Sequence, residues 1–348
     1  MVNVLPRWRG FNLLDMYVYE EGRERICAGD LVPPPGVGGN LFGGGEGDFR
    51  EEEFRWMGEW GFDFVRVPMD YRYWTEYVAG GGWRLRENVM GRIDRVVEMG
   101  GKYGLHVSLS FHRAPGYCVN PPAEAKSLWT DLGMQGMFAA QWRAFAERYK
   151  GVSSERLSFD LVNEPPAVGV MGFLGGSGMT RGAHERVIRG AVGAIRAVDG
   201  ERLIMVNGLN YGTEVVEEIV DLSGVGQSCR MYGPFGISHY EAPWVKYVWW
   251  KKPVWPGADH FGRWGALARS GVGVHCGEGG FFSRTPHEVG LAWMRDAFEI
   301  LKGEGIGWAL WNLRGGFGVL DSERSDVQYA DWHGHKLDVQ MLELLRKS

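Results

Sequence analysis

The chain has 348 residues, and its 45% hydrophobic content is enough for a large core and too high for a disordered protein. The net charge of −5 is spread in both signs along the chain, so we expect neither a nucleic-acid nor a membrane partner. No basic start followed by a long apolar run is present, so a cytoplasmic protein and a secreted protein without its signal both fit.

Eight short apolar runs alternate along the chain with amphipathic segments of helical period. Several runs are almost continuously hydrophobic, as parallel strands are when both of their faces are buried. Repeated eight times, this alternation predicts an α/β fold, a single (β/α)8 TIM barrel domain over residues 1–348. The runs are RWRGFNLLD (7–15), FDFVRVPMD (62–70), LHVSLSFHR (105–113), RLSFDLVNE (156–164), RLIMVNGLN (202–210), SCRMYGPFG (228–236), GVGVHCGEGG (271–280) and GIGWALWNL (305–313).

The lengths of three loops and the start of one helix can also be predicted. Long segments at 16–48, 165–182 and 237–258 follow the first, fourth and sixth strands. They lie on the face where a barrel of this class holds its active site, so we expect long loops around that site. Before the seventh helix, Thr285 and Pro286 predict an N-cap and a first helical residue.

No motif indicates a metal or an organic cofactor, and we expect the protein to use none. The glycine-rich stretch 36–47 matches neither GxGxxG nor GxxxxGK[ST] and is interpreted as a loop. The pair His333-x-His335 lies near the last helix without a carboxylate at ligand spacing. The cysteines lack CxxC spacing, which argues against a zinc site and leaves a Cys27–Cys118 disulfide as an open possibility. They are Cys27, Cys118, Cys229 and Cys276.

Polar or aromatic side chains occupy the carboxyl ends of the predicted strands. Each alone has an ordinary explanation: Arg66 could pair with an acid, His112 could be a core histidine and Trp311 could cap the core. Because the carboxyl ends of all eight strands meet at one face, their convergence favours a functional role. The residues at or just beyond these ends are Arg66, His112, Asn163, Glu164, His239, Glu278 and Trp311.

Glu164 and Glu278 indicate the chemistry, since they end the fourth and seventh strands and face each other across the barrel. Two carboxyl groups about 5 Å apart catalyse double displacement at a glycosidic carbon. One is protonated and donates to the leaving oxygen, and the other is ionised and attacks. Asn163 can bind the sugar 2-hydroxyl, and Arg66 favours the ionised form of a neighbouring carboxylate. The sequence therefore predicts a retaining glycoside hydrolase.

In these motifs the chain resembles glycoside hydrolase family 5, the cellulase family of (β/α)8 retaining β-glycosidases. The similarity covers nearly the whole chain. It implies that Glu164 is the acid/base, that Glu278 is the nucleophile and that Asn163 contacts the 2-hydroxyl. The most specific segments are NEP (163–165), GEGG (277–280), FVRVPMDY (64–71), SFHRAPGY (110–117) and WALWNLRGGFGVLDS (308–322).

The same resemblance assigns the surrounding residues. It implies a polar shell of Arg66, His112 and His239, and a stacking platform at Trp311 beneath the sugar at the cleavage point. The family usually has His-x-Tyr after the sixth strand, with the tyrosine touching the nucleophile. Here Tyr240 follows His239 directly. Either Tyr240, which we include among the substrate-binding residues, or Tyr232 fills this role.

We therefore expect an endo-acting β-1,4-glucanase, a monomer whose partner is a β-linked oligo- or polysaccharide. An exo-acting β-glycosidase or a β-mannanase is the alternative within the family, because long loops could close one end of the cleft. Alternatives from other classes are a metal-dependent barrel hydrolase and a non-catalytic carbohydrate-binding barrel, and two intact glutamates argue against the latter. Tryptophans that could stack along a sugar chain are Trp83, Trp129, Trp244, Trp249, Trp250 and Trp255.

Overall fold

A closed barrel of eight parallel strands forms the centre of the computed structural model. The model describes residues 3–17, 19–20, 23–26, 49–120, 122–169, 178–245, 250–255 and 261–348. β1 pairs with β2 and β8, and the pairing of β2 with β3 closes the ring, which confirms the predicted TIM barrel. The strands are β1 (Arg9–Asn12), β2 (Phe64–Asp70), β3 (His106–Ala114), β4 (Leu157–Asp160), β5 (Leu203–Asn207), β6 (Val225–Met231), β7 (Val274–Gly279) and β8 (Gly307–Leu310).

Helices pack on the outside of the barrel and bury one face each. In α2, for example, Met90, Ile93 and Val97 are buried at helical spacing. Side-chain caps begin several helices: Asp131 accepts from the amide of Met134 at 3.0 Å at the start of α3. In the described part of the chain the helices of eight or more residues are α1 (Glu51–Glu59), α2 (Glu87–Lys102), α3 (Leu132–Arg148), α4 (Arg181–Arg196), α5 (Gly262–Arg269), α6 (His287–Gly303) and α7 (Val339–Lys347).

The connection between β5 and β6 departs from the predicted strand–helix alternation. It contains only two short helical turns, Leu209–Gly212 and Glu217–Ile219. Asn210 and Tyr211 have φ values of 50° and 58°, and this left-handed backbone cannot continue a right-handed helix. This side of the barrel is therefore not covered by a full-length helix from the β5–β6 connection. Tyr211 lies close to the carboxyl ends of the strands.

The start of α6 also differs from the prediction. Pro286 is the N-cap residue and makes no side-chain cap, while the hydroxyl of Thr285 donates to the carbonyl of Ile237 at 2.6 Å. The first helical amide, that of His287, donates instead to Asp326 Oδ2 at 2.8 Å. A carboxylate from a distant loop thus supplies the cap.

Short antiparallel strand pairs are added to the eight parallel strands of the barrel. Tyr117–Cys118 returns alongside the end of β3, and it positions Tyr117 near the carboxyl ends of the strands. Among the described residues no helix is both long and apolar enough to cross a membrane. The predicted glycine-rich loop at 36–47 and Cys27, one partner of the possible disulfide, lie outside the described residues. The other hairpins pair Tyr19–Glu20 with Arg23–Ile26, Thr75–Val78 with Gly82–Leu85, and Ala330–Trp332 with His335–Leu337.

The hydrophobic core lies between the barrel and its helices. Trp142 of α3 is fully buried and stacks on Phe111 of β3, with ring centroids 3.9 Å apart. Trp308 of β8 stacks on Phe298 of α6 at 4.6 Å. Because burial stabilises by about 25 cal/mol per Å² of apolar surface, such large rings fix the helices firmly against the strands.

The interior of the barrel is layered. At the amino-terminal end Trp8, Phe64 and His106 stack on one another, with the Trp8 and His106 rings 3.8 Å apart. Burial lowers the pKa of His106 to about 4, so its neutral ring packs as an aromatic group. Two residues after Phe64, Arg66 faces the same interior because side chains alternate along a strand. A buried cation thus lies just below the carboxyl ends.

Candidate active site

A cavity of about 510 Å³ opens at the carboxyl ends of the strands. Both polar and aromatic side chains form its wall, which is typical of a site that binds an amphipathic ligand such as a sugar. It is the site anticipated from the strand ends. The residues around it are Tyr17, His112, Val119, Asn120, Glu164, Asn210, Tyr211, Thr213, Arg230, Tyr232, Gly233, Phe235, His239, Trp244, Glu278, Trp311 and Phe317.

Glu278, in β7, is held by two guanidinium groups and a phenol. Its Oε1 accepts from Arg66 Nη1 at 2.6 Å and lies 3.1 Å from Arg230 Nη2. Its Oε2 accepts from the Tyr232 hydroxyl at 3.3 Å. The side chain is almost fully buried, so these contacts replace water as partners of its charge. The arrangement holds the Glu278 carboxyl group in one fixed orientation beside two cations.

Glu164 follows β4 and is fixed through its backbone as well as its side chain. Its φ of 47° is a left-handed value that non-glycine residues rarely adopt. Its amide donates to Asn207 Oδ1 at 3.1 Å, and its carbonyl accepts from the Tyr117 hydroxyl at 2.5 Å. Its Oε1 accepts from Arg230 Nε at 2.9 Å. These contacts aim the Glu164 carboxyl group into the cavity.

The two glutamates sit in different electrostatic surroundings. Burial, followed by the negative charge of Glu278, raises the pKa of Glu164 to about 7, although Arg230 acts in the opposite direction. Glu164 therefore retains a proton through the mildly acidic range. A carboxyl group whose pKa is raised by burial and by a neighbouring carboxylate is typical of sites that perform acid–base chemistry.

Arg230 is the main residue that the sequence reasoning missed. Its guanidinium contacts both glutamates and also donates to Asn163 Oδ1 at 2.7 Å and to Asn207 Oδ1. The segment SCRMYGPFG contained a signal for it. At the end of β6, Arg230 and Tyr232 form an Arg-x-Tyr motif with the same spacing as the expected His-x-Tyr motif. Both side chains reach the cavity because residues two apart on a strand point to the same side.

A second unforeseen residue lies one layer deeper. Asp160 of β4 accepts from Arg66 Nε at 2.6 Å and from Asn207 Nδ2 at 2.5 Å, and it is buried. The alternation in RLSFDLVNE places Asp160 on the inward face, but its partners come from β2 and β5 and could not be identified from one strand. Asp160 anchors the arginine that in turn holds Glu278.

Two predicted binding residues carry polar atoms that the protein itself does not satisfy. Asn163 uses its Oδ1 to accept from Arg66 and Arg230, and this orientation leaves Nδ2 buried without a hydrogen-bond partner among the described residues. Among the described residues, Nδ1 of His112 also has no hydrogen-bond partner, while its Nε2 contacts Asn120 Oδ1 at 2.8 Å. Burial lowers the pKa of His112 well below its usual value, so the ring is neutral.

The structure brings most of the predicted site residues together. His112, Glu164, His239, Glu278 and Trp311 line the cavity. The buried Arg66 and Asn163 lie beneath it and are bonded to each other at 2.9 Å. Of the two candidate tyrosines, Tyr232 is the one that contacts Glu278. Tyr240 does not line the cavity, and its ring lies 5.9 Å from that of Trp250.

The tryptophans proposed as stacking surfaces divide into several environments. Trp244 lines the cavity, next to His239 and Phe317. Trp129 is instead fully buried against Tyr117, so it belongs to the core. Trp249 lies outside the described residues. The others are elsewhere: Trp83 in the hairpin beside Tyr77, Trp250 near Tyr240 and Trp255 bonded to Asp296.

Within the described ranges, no cluster of three or more histidine, cysteine, aspartate or glutamate side chains could hold a metal ion. The pair noted in the sequence has other contacts: His335 Nδ1 lies 2.7 Å from Asp321 Oδ2, and His333 stacks on Trp56.

Two proteins of known sequence are similar to this chain over most of its length. Endoglucanase C of Acetivibrio thermocellus is 24% identical over 315 residues, which are 80% of this chain and 88% of the relative. Cellodextrinase A of Ruminococcus flavefaciens is 24% identical over 278 residues, 74% of this chain and 76% of that protein.

Solved structures are similar to this chain over almost its whole length. A crystal structure described as a glycoside hydrolase is 35% identical, with a TM-score of 0.84 over 98% of this chain and 99% of that one. Thermotoga maritima Cel5A with cellobiose shares the fold at 20% identity, with a TM-score of 0.71 over 97% and 96%. The model of the cellulase family, glycosyl hydrolase family 5, matches residues 50–316, which contain β2 to β8. The chain therefore belongs to the cellulase family, glycosyl hydrolase family 5, and is a glycoside hydrolase.

Proposed function

We propose that the protein is a retaining endo-β-1,4-glucanase in which Glu164 is the general acid and base and Glu278 is the nucleophile. The contrast between the two carboxyl groups carries this proposal. Glu164 has its pKa raised to about 7, and Glu278 is paired with Arg66. The carboxyl group that keeps its proton can donate it to a leaving oxygen, and the ion-paired carboxylate is ready to attack.

The reaction has two displacements. In the first, an oxygen of Glu278 attacks the anomeric carbon while the glycosidic oxygen leaves with the Glu164 proton. In the second, Glu164 takes a proton from water, the water oxygen attacks the same carbon, and Glu278 departs as a carboxylate. Two inversions give a product with the configuration of the substrate.

The unsatisfied atoms of the site support the binding of a sugar between the two glutamates. Asn163 directly precedes Glu164, and its unpaired Nδ2 can donate to the 2-hydroxyl as the ring approaches its transition state. Nδ1 of His112 can accept from another hydroxyl. Trp311, in edge-to-face contact with Tyr17, offers a flat apolar surface to a sugar ring.

The choice of a β-1,4-glucan rests on the family and on relatives named endoglucanase and cellodextrinase. An exo-acting β-glycosidase and a β-mannanase share the same two displacements and differ only in subsites. A non-catalytic carbohydrate-binding barrel would not need two glutamates with separated protonation. Substrate analysis decides among these possibilities.

Chemical rescue tests the two roles. Glu278→Ala should lose hydrolysis, and azide should restore turnover of dinitrophenyl β-cellobioside and release the α-glycosyl azide, since azide replaces the nucleophile directly. Glu164→Gln should form the glycosyl-enzyme from this activated substrate in a burst and then stall, and azide should release the β-glycosyl azide. Exchanged azide configurations would mean that the two roles are reversed. Glu98→Gln, at an exposed position of α2, is the matched control.

Product analysis tests the mode of action. Carboxymethylcellulose, mixed-linkage glucan, mannan and aryl glycosides are digested in parallel, and viscosity is followed together with reducing ends. An endo-glucanase lowers the viscosity of the carboxymethylcellulose early, when few reducing ends have appeared. Release of only mono- or disaccharides without loss of viscosity would replace the endo assignment with the exo alternative, and a preference for mannan would replace the glucan assignment.

A further inference from the structure

Arg230 contacts both glutamates of the site, and the sheet is built to let it do so. The register of β6 and β7 shifts between Cys229 and Arg230, so that Cys229 pairs with Cys276 whereas Arg230 pairs with Glu278. Such irregularities re-aim side chains next to active sites. Here the shift places the guanidinium and the Glu278 carboxylate side by side at the cavity.

Two glycines leave room for this arginine. A Cβ atom on Gly277 would lie 2.4 Å from Ser228 Oγ and 3.1 Å from Arg230 Nη1. A Cβ on Gly212, which has a φ of +80°, would lie 2.5 Å from Arg230 Cγ. A side chain at Gly277 would force Ser228 Oγ to move and would crowd Arg230 Nη1, and a side chain at Gly212 would force Cγ of Arg230 to move. The position of Arg230 is thus specified from β7 and from the loop after β5.

The charges around the site balance in one particular way. Two cations, Arg66 and Arg230, face Asp160, Glu278 and Glu164. When Glu164 is protonated, two positive charges meet two negative charges and cancel. All five groups are largely buried, so an uncompensated charge among them would be costly.

The proposed reaction preserves this balance. The first displacement turns Glu278 into a neutral ester, and Glu164 becomes a carboxylate because its proton leaves with the glycosidic oxygen. The second displacement returns the electron pair to Glu278 and a proton to Glu164. One negative charge therefore moves from Glu278 to Glu164 and back. Arg230, 3.1 Å from Glu278 Oε1 and 2.9 Å from Glu164 Oε1, faces that charge in both states.

We propose that Arg230 is a counter-ion shared by the two carboxylates, pairing with Glu278 before the sugar is transferred and with Glu164 while the sugar is bound to the enzyme. This inference rests on the roles assigned above and assigns Arg230 as a positioning residue. Once Glu278 is esterified, Arg230 is the cation in direct contact with the general base, so it sets the pH at which the base can accept a proton from water.

None of the other groups that face Glu164 in the described part of the chain can take over this task. Arg66 approaches from β2 but is bonded to Asp160 and Glu278. The tyrosines around Glu164 have pKa values raised by burial and stay neutral, so they carry no compensating charge. They are Tyr17, Tyr117, Tyr211 and Tyr232.

The test uses dinitrophenyl β-cellobioside, whose leaving group needs no acid, so that the second displacement can be followed between pH 5 and 9. In Arg230→Met the pH midpoint of this step should rise by about one to three units, the effect of losing an adjacent opposite charge. At a fixed pH below the midpoint, deglycosylation should be at least about tenfold slower than in the wild type. Azide, which needs no base, should restore turnover. Arg230→Lys should show a smaller rise.

The controls separate the possible outcomes. Arg95→Met, at an exposed position of α2, should keep the wild-type midpoint. The proposal is overturned if Arg230→Met keeps the wild-type pH midpoint and does not respond to azide, even if the variant is slower than the wild type. If that variant does not fold, Arg230→Lys, which keeps the charge but loses the planar guanidinium contacts, must raise the midpoint or the proposal fails. A wild-type enzyme whose first-formed product has the inverted anomeric configuration would instead refute the two-displacement mechanism itself.

Discussion

Replacing Glu164 with glutamine should stabilise the folded protein at neutral and alkaline pH, although it removes the proposed acid. The pKa of Glu164 is about 7 in the folded state and 4.5 when unperturbed. Between these pH values the folded protein binds a proton that the unfolded chain has lost, so stability falls as pH rises. The loss is absent below pH 4.5 and complete above pH 7. Glutamine imitates the protonated carboxyl group at every pH, so the variant avoids this loss of stability.

The magnitude follows from the pKa difference. A shift from 4.5 to about 7 corresponds to about 3 kcal/mol, since one pKa unit is about 1.4 kcal/mol. An unfolding entropy of about 2.1 cal/mol/K per residue gives about 0.7 kcal/mol/K for 348 residues. The variant should therefore melt about 4 °C above the wild type at pH 8 and at nearly the same temperature at pH 4.5.

Urea unfolding at these two pH values, followed by tryptophan fluorescence, measures the difference directly. Every other titrating group is common to the two proteins, so the comparison isolates Glu164. Glu98→Gln, at an exposed site on α2, should show no pH-dependent difference from the wild type. A stability difference between Glu164→Gln and the wild type that is the same at pH 4.5 and 8 would refute the protonation state assigned to Glu164.

Three further outcomes are expected. On unactivated substrates kcat/KM should fall as pH rises through about 7, because Glu164 loses the proton it donates; a plateau extending to pH 9 would contradict this. Asp160→Asn should lower kcat by about tenfold to a hundredfold with a smaller effect on KM, since Arg66 loses its anchor below the cavity; a change confined to KM would contradict it. Trp142→Ala should cost about 3–5 kcal/mol in urea unfolding, and Trp142→Phe clearly less because the stack on Phe111 is kept; equal costs would contradict the packing argument.

Periodicity explains why the barrel and most of its site could be predicted. Buried parallel strands are nearly continuous in hydrophobicity, so a polar side chain at the end of such a run stands out. The sequence identifies Glu164 and Glu278 as candidates on this basis. The same reasoning applies to Arg230, a charged residue next to the carboxyl end of β6, but the expected histidine directs attention to His239, nine residues later.

The remaining differences depend on contacts between distant parts of the chain. The amide that begins α6 is capped by Asp326, 39 residues further along, and no local signal reveals this. Asp160 acquires its role only when β2 and β5 bring Arg66 and Asn207 to it. Left-handed residues in the β5–β6 connection are likewise held by tertiary contacts, such as the bond from the amide of Tyr211 to the carbonyl of Pro165 at 2.9 Å.

The attachment of the Glu164 backbone has a consequence for redesign. Its amide and carbonyl are bonded to Asn207, at the end of β5, and to Tyr117, in the turn after β3. Both partners belong to the barrel's neighbouring strands rather than to the segment that follows Pro166. The acid is therefore positioned by the barrel and by the turn after β3, and a redesigned protein that keeps Asn207 and Tyr117 should keep the Glu164 backbone in place.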